Sequence, residues 1–331
     1  MTVSNPEDIY MEIPVRIIRA ARALLCFIFN NYLKMLFLGV VLTLLFSLSR
    51  PSVAEEVVRR GSLEQVTGFG DNPTGARMYL YVPENLVNNP PIVVAVHYCS
   101  ASAEIYFSGT PYAKLADTHG FIVLYPESPN EGACWDASSD ETQIHNGGGD
   151  SNSIANMVTY TMKHYKTDKK KVFLMGSSSG AMMTNILAAT YPGLFAAASV
   201  YAGAPAGCFY TGTVAGWNST CAEGKVVETQ EYWANIAKAM YPGYEGARPR
   251  MRIYHGSADT TLYPQNYHET IKQWTGIFGY TDTPQEMFVN DPANPYTRYV
   301  YGENVEGAYG IGITHNLDMF GDADIEWFGI S

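Results

Sequence analysis

Apolar positions along the chain fall into two periods. Ile92–His97, Phe121–Tyr125, Val172–Met175, Phe195–Tyr201 and Met251–His255 are short, mostly apolar runs. Each is too short for a helix and is bounded by glycine, proline or polar residues, which predicts buried strands. Between them, Pro111–His119, Ile154–Tyr165 and Pro264–Phe278 read as helices, and from Gly180 on Met182, Met183, Ile186 and Leu187 recur at helical spacing. Gly120 is placed to stop the first helix, and Asp150 or Ser151 to cap the second. Upstream, Leu63–Pro83 reads as two strands around the turn-rich Asp71–Gly75, with Met78–Val82 alternating. Thr297–Tyr301 reads as the last strand and Asp324–Phe328 as a closing helix. Alternating strands and helices, with the strands apolar throughout, predict an α/β fold with a doubly wound, mostly parallel sheet. No repeat, low-complexity linker or second domain interrupts the pattern. The stretch Glu127–Gly149 follows neither period and ends in three glycines, which marks it as a functional loop.

The junction between the Val172 strand and the helix from Gly180 carries the first chemistry. Gly176-Ser177-Ser178-Ser179-Gly180 fits G-x-S-x-G centred on Ser178. A chain that turns from strand to helix in so few residues holds its central serine in a strained conformation, and flanking glycines leave room for neighbouring elements. The helix N-terminus beneath the serine favours the negative charge of acyl transfer. The bland alternative is a Ser-rich loop. A nucleophilic serine needs a base, and the base an orienting carboxylate, in the chain order Ser, Asp or Glu, His. After Ser178 the histidines are His255, His268 and His315. His255 ends a predicted strand, His268 falls inside a predicted helix, and His315 lies in a loop after the last strand. Asp259 follows the carboxyl end of the Met251–His255 strand, where active-site loops gather in open α/β sheets. Ser178, Asp259 and His315 therefore form the candidate triad, set against a turn-forming aspartate and a surface-loop histidine. The matching oxyanion donors are the backbone N–H groups of Ser179 and of Cys99, in the loop after the Ile92 strand. Tyr98 and Trp135 are candidate sugar contacts, although Trp135 reads equally well as a core residue. Tyr98, Tyr106, Phe107, Trp135, Tyr201 and Tyr263 lie in segments expected around the serine, and several facing it would close its acyl side. No H-x-x-E-H or H-E-x-x-H spacing occurs, so no metal site is expected.

Charge and targeting narrow the class. A net charge of −11 over 331 residues argues against a nucleic-acid partner. Met35–Leu48 is an apolar run preceded by Lys34 and followed by Ser52-Val53-Ala54, the layout of a secretory signal. Residues 1–54 are thus expected to be an N-terminal extension plus signal peptide, with the signal at 35–54. Residues 1–34, with Arg16, Arg19 and Arg22 beside apolar Ala23–Phe29, read either as a signal-anchor extension or as sequence upstream of a start at Met35, the second being favoured. Arg59-Arg60 before Gly61 marks 55–60 as a short propeptide and 61–331 as the mature domain. Four of the five cysteines fall in that domain, which fits an extracellular protein with disulfides. Sequence alone allows three pairings. A short loop with Gly207, Gly212 and Gly216 makes a local Cys208–Cys221 bridge plausible, which leaves Cys99 with Cys134. Asn218-Ser219-Thr220 in the same loop is a candidate N-glycosylation site.

Four segments together carry a resemblance. They are HYCSASAEIYFSGTPYAKLADTHGFIVLYP, CWDASSDETQIHNGGGDSNSIANMVTYTM, MGSSSGAMMTNILAATYPGLFAAASVYAGAPAGCF and IYHGSADTTLYPQNYHETIKQW. They resemble fungal acetylxylan esterases of carbohydrate esterase family one, related to feruloyl esterases and polyhydroxybutyrate depolymerases. The resemblance covers essentially all of Gly61–Ser331. It implies an α/β-hydrolase fold in a single catalytic domain, a Ser178–Asp259–His315 triad, a Cys99 oxyanion contact, no cofactor, and secretion for plant cell-wall breakdown. The expected partners are acetylated xylan or xylooligosaccharides, with no nucleic acid, no stable membrane association once processed, and a monomeric state. Two positions depart from the family pattern. Relatives often have glycine where Ala101 sits, and many place the histidine in a Gly-His-Ser/Thr-Val-Pro context where this chain has Thr314-His315-Asn316-Leu317. The alternative within the class is a feruloyl esterase. Outside it stand a polysaccharide-binding or membrane-anchored protein with a degenerate triad, and a metal-dependent deacetylase.

Overall fold

The computed structural model describes residues 22, 24–36 and 58–330. Residues 37–57, which hold most of the expected signal, its cleavage motif and the start of the expected propeptide, lie outside the described residues. The chain divides into two compact units, Met1–Glu55 and Glu56–Ser331. In the first, residues 24–36 form helix α1, with Leu24, Phe27 and Phe29 exposed. Among the described residues no helix is long and apolar enough to cross a membrane.

The second unit runs β1 (Leu63–Val66), β2 (Arg77–Tyr81), β3 (Ile92–Val96), α2 (Ala103–Gly109), α3 (Tyr112–His119), β4 (Ile122–Glu127), α4 (Asp150–Tyr165), β5 (Val172–Ser177), α5 (Ser179–Thr190) and β6 (Ala197–Tyr201). It continues with α6 (Ser219–Ala222), α7 (Gln230–Ala239), β7 (Arg250–Gly256), α8 (Gln265–Phe278), β8 (Glu286–Val289), β9 (Tyr296–Gly302), β10 (Val305–Gly310) and α9 (Gly321–Phe328). The sheet order is β1-β2-β4-β3-β5-β6-β7-β10-β9-β8. Its middle, from β4 to β10, is parallel, and both margins are antiparallel.

The strands are apolar throughout because both faces of the sheet are covered. Along β3, Ile92, Val94 and Val96 enter one core while Val93 and Ala95 enter the other. Along β5, Val172 and Leu174 face the first core and Phe173 and Met175 the second. The first core takes Met157 and Val158 of α4, Met183, Ile186 and Leu187 of α5, Trp233 of α7 and Trp274 of α8. The second takes Tyr106 of α2, Tyr112 and Ala116 of α3, and Ile325 and Phe328 of α9. In the second core the buried Asp324 of α9 accepts hydrogen bonds from the hydroxyls of Tyr112, Ser199, Tyr201 and Tyr254. Tyr201 Oη in turn accepts from Phe320 N–H at 3.1 Å.

From β3 the chain moves to β4 on one side, then returns through α4 to β5 on the other. Strand order therefore reverses between β3 and β5, and a crevice opens outside their carboxyl ends at such a switch.

The structure revises several sequence expectations. Asp150 and Ser151 do not cap α4. Gly149 is the cap, and Asp150 lies inside the first turn, where Oδ2 accepts from Asn130 Nδ2 and Asp136 N–H. Thr297–Tyr301 belongs to β9, and the last strand is β10, Val-Glu-Gly-Ala-Tyr-Gly. Its glycines hide it from a hydrophobic pattern, yet Gly307 is required, since a Cβ there would lie 2.1 Å from Tyr267 Oη. Helices α2, α6 and α7 and the exposed margin strand β8 stand where no element is expected from the sequence.

Candidate active site

The elbow forms because β5 ends at Ser177 and α5 begins at Ser179, leaving a single residue for the turn. Ser178 sits at φ 53°, ψ −119°, and its N–H donates to Tyr201 O at 2.9 Å. A non-glycine residue at positive φ is strained, and surrounding contacts must hold it there. Both glycines of the motif have a steric cause. A Cβ on Gly176 would meet Gly180 O at 2.3 Å, and one on Gly180 would meet Val96 O at 2.1 Å and His97 O at 2.5 Å. The obstructing atoms are backbone and have little room to yield. Gly180→Ala is therefore expected to destabilise the fold by about 1–3 kcal/mol, the cost of overpacking a filled site. Urea unfolding checks this, and a wild-type midpoint would show that β3 gives way.

Ser178 Oγ lies 2.9 Å from His315 Nε2, and His315 Nδ1 lies 2.7 Å from Asp259 Oδ2. The flanking serines are not so placed. Ser177 Oγ is 3.1 Å from Tyr106 Oη, and the buried Ser179 Oγ has no hydrogen-bond partner among the described residues. Asp259 follows β7 in a tight turn, where Oδ1 accepts from the N–H groups of Thr261 and Leu262 at 2.8 and 3.0 Å. Burial alone would raise its pKa, but hydrogen bonds from His255 and His315 outweigh it and hold the carboxyl well below the usual carboxylate range. His315 follows β10, and its loop is fastened to the Asp259 turn. Ala258 N–H donates to Ile313 O at 2.8 Å, and Gly312 N–H donates to Ser257 Oγ at 2.7 Å. A Cβ on Gly256 would meet Ile313 O at 2.2 Å, so glycine there lets the two loops touch.

The Cys99 loop leaves β3 beside the elbow, since β3 and β5 pair in parallel with Val96 opposite Gly176. Buried His97 steadies it. Nδ1–H donates to Tyr98 O at 2.7 Å, while Nε2 accepts Ser128 N–H at 3.1 Å. Burial lowers the His97 pKa, which suits a ring whose Nε2 must accept. Cys99 is bridged to Cys134, and Ser100 N–H donates to Gly132 O at 2.8 Å. The long Glu127–Gly149 segment thus braces this loop. The second bridge joins Cys208 to Cys221. Among the described residues, the amides of Cys99 and Ser179 donate to no protein acceptor.

Several expectations about substrate contact need correction. Trp135 is only 2% exposed, and its indole N–H donates to His97 O at 2.9 Å. It props the Cys99 loop from within and offers no face to a sugar. Tyr106 and Tyr201 are also buried, with hydroxyls turned to Ser177 and Asp324. Of the bulky residues expected around the serine, Tyr98 and Tyr263 are exposed. Trp217 and Tyr210, on the Cys208–Cys221 loop, are exposed aromatics that sequence reading passed over. Asn218, the candidate glycosylation site, caps α6 by accepting from Cys221 N–H, and its Nδ2 lies 3.3 Å from both Cys208 O and Tyr210 O. His268 stands in α8, as expected. His255 was read only as a strand end, yet its Nε2 lies 3.3 Å from Asp259 Oδ2. The one available signal was its spacing, four residues ahead of the aspartate.

A profile of the esterase PHB depolymerase family matches residues 74–284. The chain belongs to this family. Acetylxylan esterase A of Aspergillus ficuum is 58% identical over 292 residues, covering 87% of this chain and 96% of the relative. Acetylxylan esterase A of Aspergillus oryzae is 59% identical over 278 residues, covering 83% and 91%. The solved structure of the acetyl xylan esterase from Aspergillus awamori superposes with a TM-score of 0.81 at 58% identity, covering 82% of this chain and all of that one. The resemblance to fungal acetylxylan esterases is thereby shown. The fold is the α/β-hydrolase fold, and this member of the esterase family is a carboxylic ester hydrolase.

Proposed function

We propose that this chain is a secreted serine esterase that removes acetyl groups from acetylated xylan or xylooligosaccharides, with Ser178, His315 and Asp259 as its catalytic triad. The continuous hydrogen-bonded chain Ser178–His315–Asp259 is the observation that carries the mechanism. The substrate class rests on the names of relatives 57–59% identical to this chain.

His315 Nε2 takes the Ser178 Oγ proton as Oγ bonds to the acetyl carbonyl carbon. The carbonyl oxygen becomes an oxyanion held by the N–H groups of Ser179 and Cys99, with the α5 N-terminus behind it. Asp259 accepts from His315 Nδ1–H, which fixes the tautomer and stabilises the imidazolium. His315 then returns the proton to the xylose oxygen as the C–O bond breaks, leaving an acetyl-Ser178 ester. Water, deprotonated by His315, attacks that ester, and His315 passes the proton to Ser178 Oγ as the Oγ–acyl bond breaks and acetate leaves. Every step is a proton or acyl transfer among these residues, substrate and water. In keeping with the targeting signals, the mature protein begins near Gly61 and acts outside the cell as a monomer, free of the membrane.

Bulk around the serine gives weaker support for acetyl selectivity than expected, because Tyr106, Trp135 and Tyr201 are core residues. The relatives carry that part of the reading. A competition between acetylated xylooligosaccharide and methyl ferulate at equal concentration is expected to favour acetate release by at least about tenfold in kcat/KM. Comparable or faster ferulate release would overturn the substrate assignment and leave the triad intact.

A further inference from the structure

We infer that His255 is a positioning residue for the esterase reaction, a second histidine that holds Asp259 in line with His315. This rests on the triad reading above. His255 is fully buried next to the end of β7. Its Nε2 lies 2.9 Å from Leu262 O and 3.3 Å from Asp259 Oδ2. A carbonyl oxygen only accepts, so Nε2 carries the hydrogen and shares it between the two oxygens. Leu262 N–H donates to Asp259 Oδ1 at 3.0 Å. The ring of contacts His255–Leu262–Asp259 is thereby closed, and both carboxylate oxygens are fixed from behind while Oδ2 meets His315 Nδ1 at 2.7 Å.

Packing alone does not account for a histidine here. Nδ1 is buried with no hydrogen-bond partner among the described residues. An unpaired buried nitrogen is unfavourable, and an apolar side chain would fill the space without it. The polar ring is kept for what Nε2 does. Its surroundings support that role: α8 brings Tyr267 and His268, β10 brings Tyr309 as its register partner, and the Asp259 turn supplies the carboxylate. Asp259 is thus the acceptor that His255 shares with His315.

The test compares His255→Leu and His255→Gln in the full chain, on one acetyl ester, with fold checked by near-ultraviolet circular dichroism. For His255→Leu, kcat is expected to fall by on the order of tenfold to a hundredfold, as for loss of other outer hydrogen bonds to a working group, with KM nearly unchanged. Asp259, short of one donor, becomes more basic and holds the His315 proton more tightly. The acid-side midpoint of kcat/KM therefore moves to higher pH. His255→Gln carries an amide N–H that reaches the same two oxygens, and is expected to restore most of kcat and the midpoint. An unmoved midpoint in a folded His255→Leu protein, or a glutamine variant no better than leucine, would overturn the inference. If the leucine variant does not fold, nitrogen NMR of the wild-type histidines decides: a hydrogen on His255 Nε2 with Nδ1 bare supports it, and the opposite tautomer refutes it. Full activity in Asp259→Asn would instead bring down the triad reading itself, whereas an inactive Asp259→Asn beside an unaffected His255→Leu would remove only this step.

Discussion

Ser178→Ala is expected to lower kcat on p-nitrophenyl acetate by on the order of 10⁶-fold while leaving the fold intact, because triad members act as a unit and none compensates for loss of the nucleophile. Among the described residues Oγ makes its hydrogen bond to His315 Nε2, so its removal deletes chemistry and little else. His315→Ala should fall nearly as far. The neighbouring serines make the control. Ser177 Oγ is turned to Tyr106 and Ser179 Oγ is buried without a partner among the described residues, so alanine at either position should keep most of the activity. Steady-state kinetics with circular dichroism on all four variants reads the result. Inactivation by Ser177→Ala or Ser179→Ala, with Ser178→Ala active, would show that another serine is the nucleophile.

The second large effect is at Asp259. Asp259→Asn is expected to reduce kcat about 10⁴-fold, and the geometry says why. Two backbone N–H groups, from Thr261 and Leu262, converge on Oδ1. In the asparagine variant these donors keep the amide oxygen on their side and turn Nδ2 towards His315. His315 Nδ1 must then accept, its proton moves to Nε2, and the ring loses the lone pair that receives the serine proton. The same Nδ2 faces His255 Nε2–H, donor against donor. Single-turnover kinetics should show slow acylation with substrate binding retained. Wild-type activity would return Asp259 to the role of a turn former.

What the sequence revealed and what it hid divide along physical lines. The elbow was legible because its constraints act over five residues: a strand, a serine at positive φ, and two glycines with backbone at their Cβ positions. The chain order of Asp259 and His315 was legible because the fold places both on loops after parallel strands. The strand that delivers His315 was not. Gly307 and Gly310 depress the hydrophobic signal of β10, and a Cβ at Gly307 would meet Tyr267, forty residues earlier, while one at Gly310 would meet Ile313 and Tyr296. The role of Trp135 was hidden for a related reason. An indole beside a bridged cysteine reads as a wall of the site until His97 O is known to accept its N–H. The second partner of Asp259 was missed because a buried histidine at a strand end has no distinguishing pattern of its own.

The Asp324 cluster bears on how the molecule comes into being. Tyr201 O receives the Ser178 N–H, Tyr201 Oη is bound by Asp324, and Asp324 lies on the last helix of the chain. A growing polypeptide emerges from its N-terminal side, and folding of its early parts proceeds meanwhile. The serine is therefore synthesised long before the carboxylate that secures the residue beneath it. During that interval the hydrogen bond from Tyr201 Oη to Asp324 is missing, while the backbone bond from Ser178 N–H to Tyr201 O needs only the neighbouring strands. The last helix therefore adds its brace to a residue that the sheet already holds from both sides.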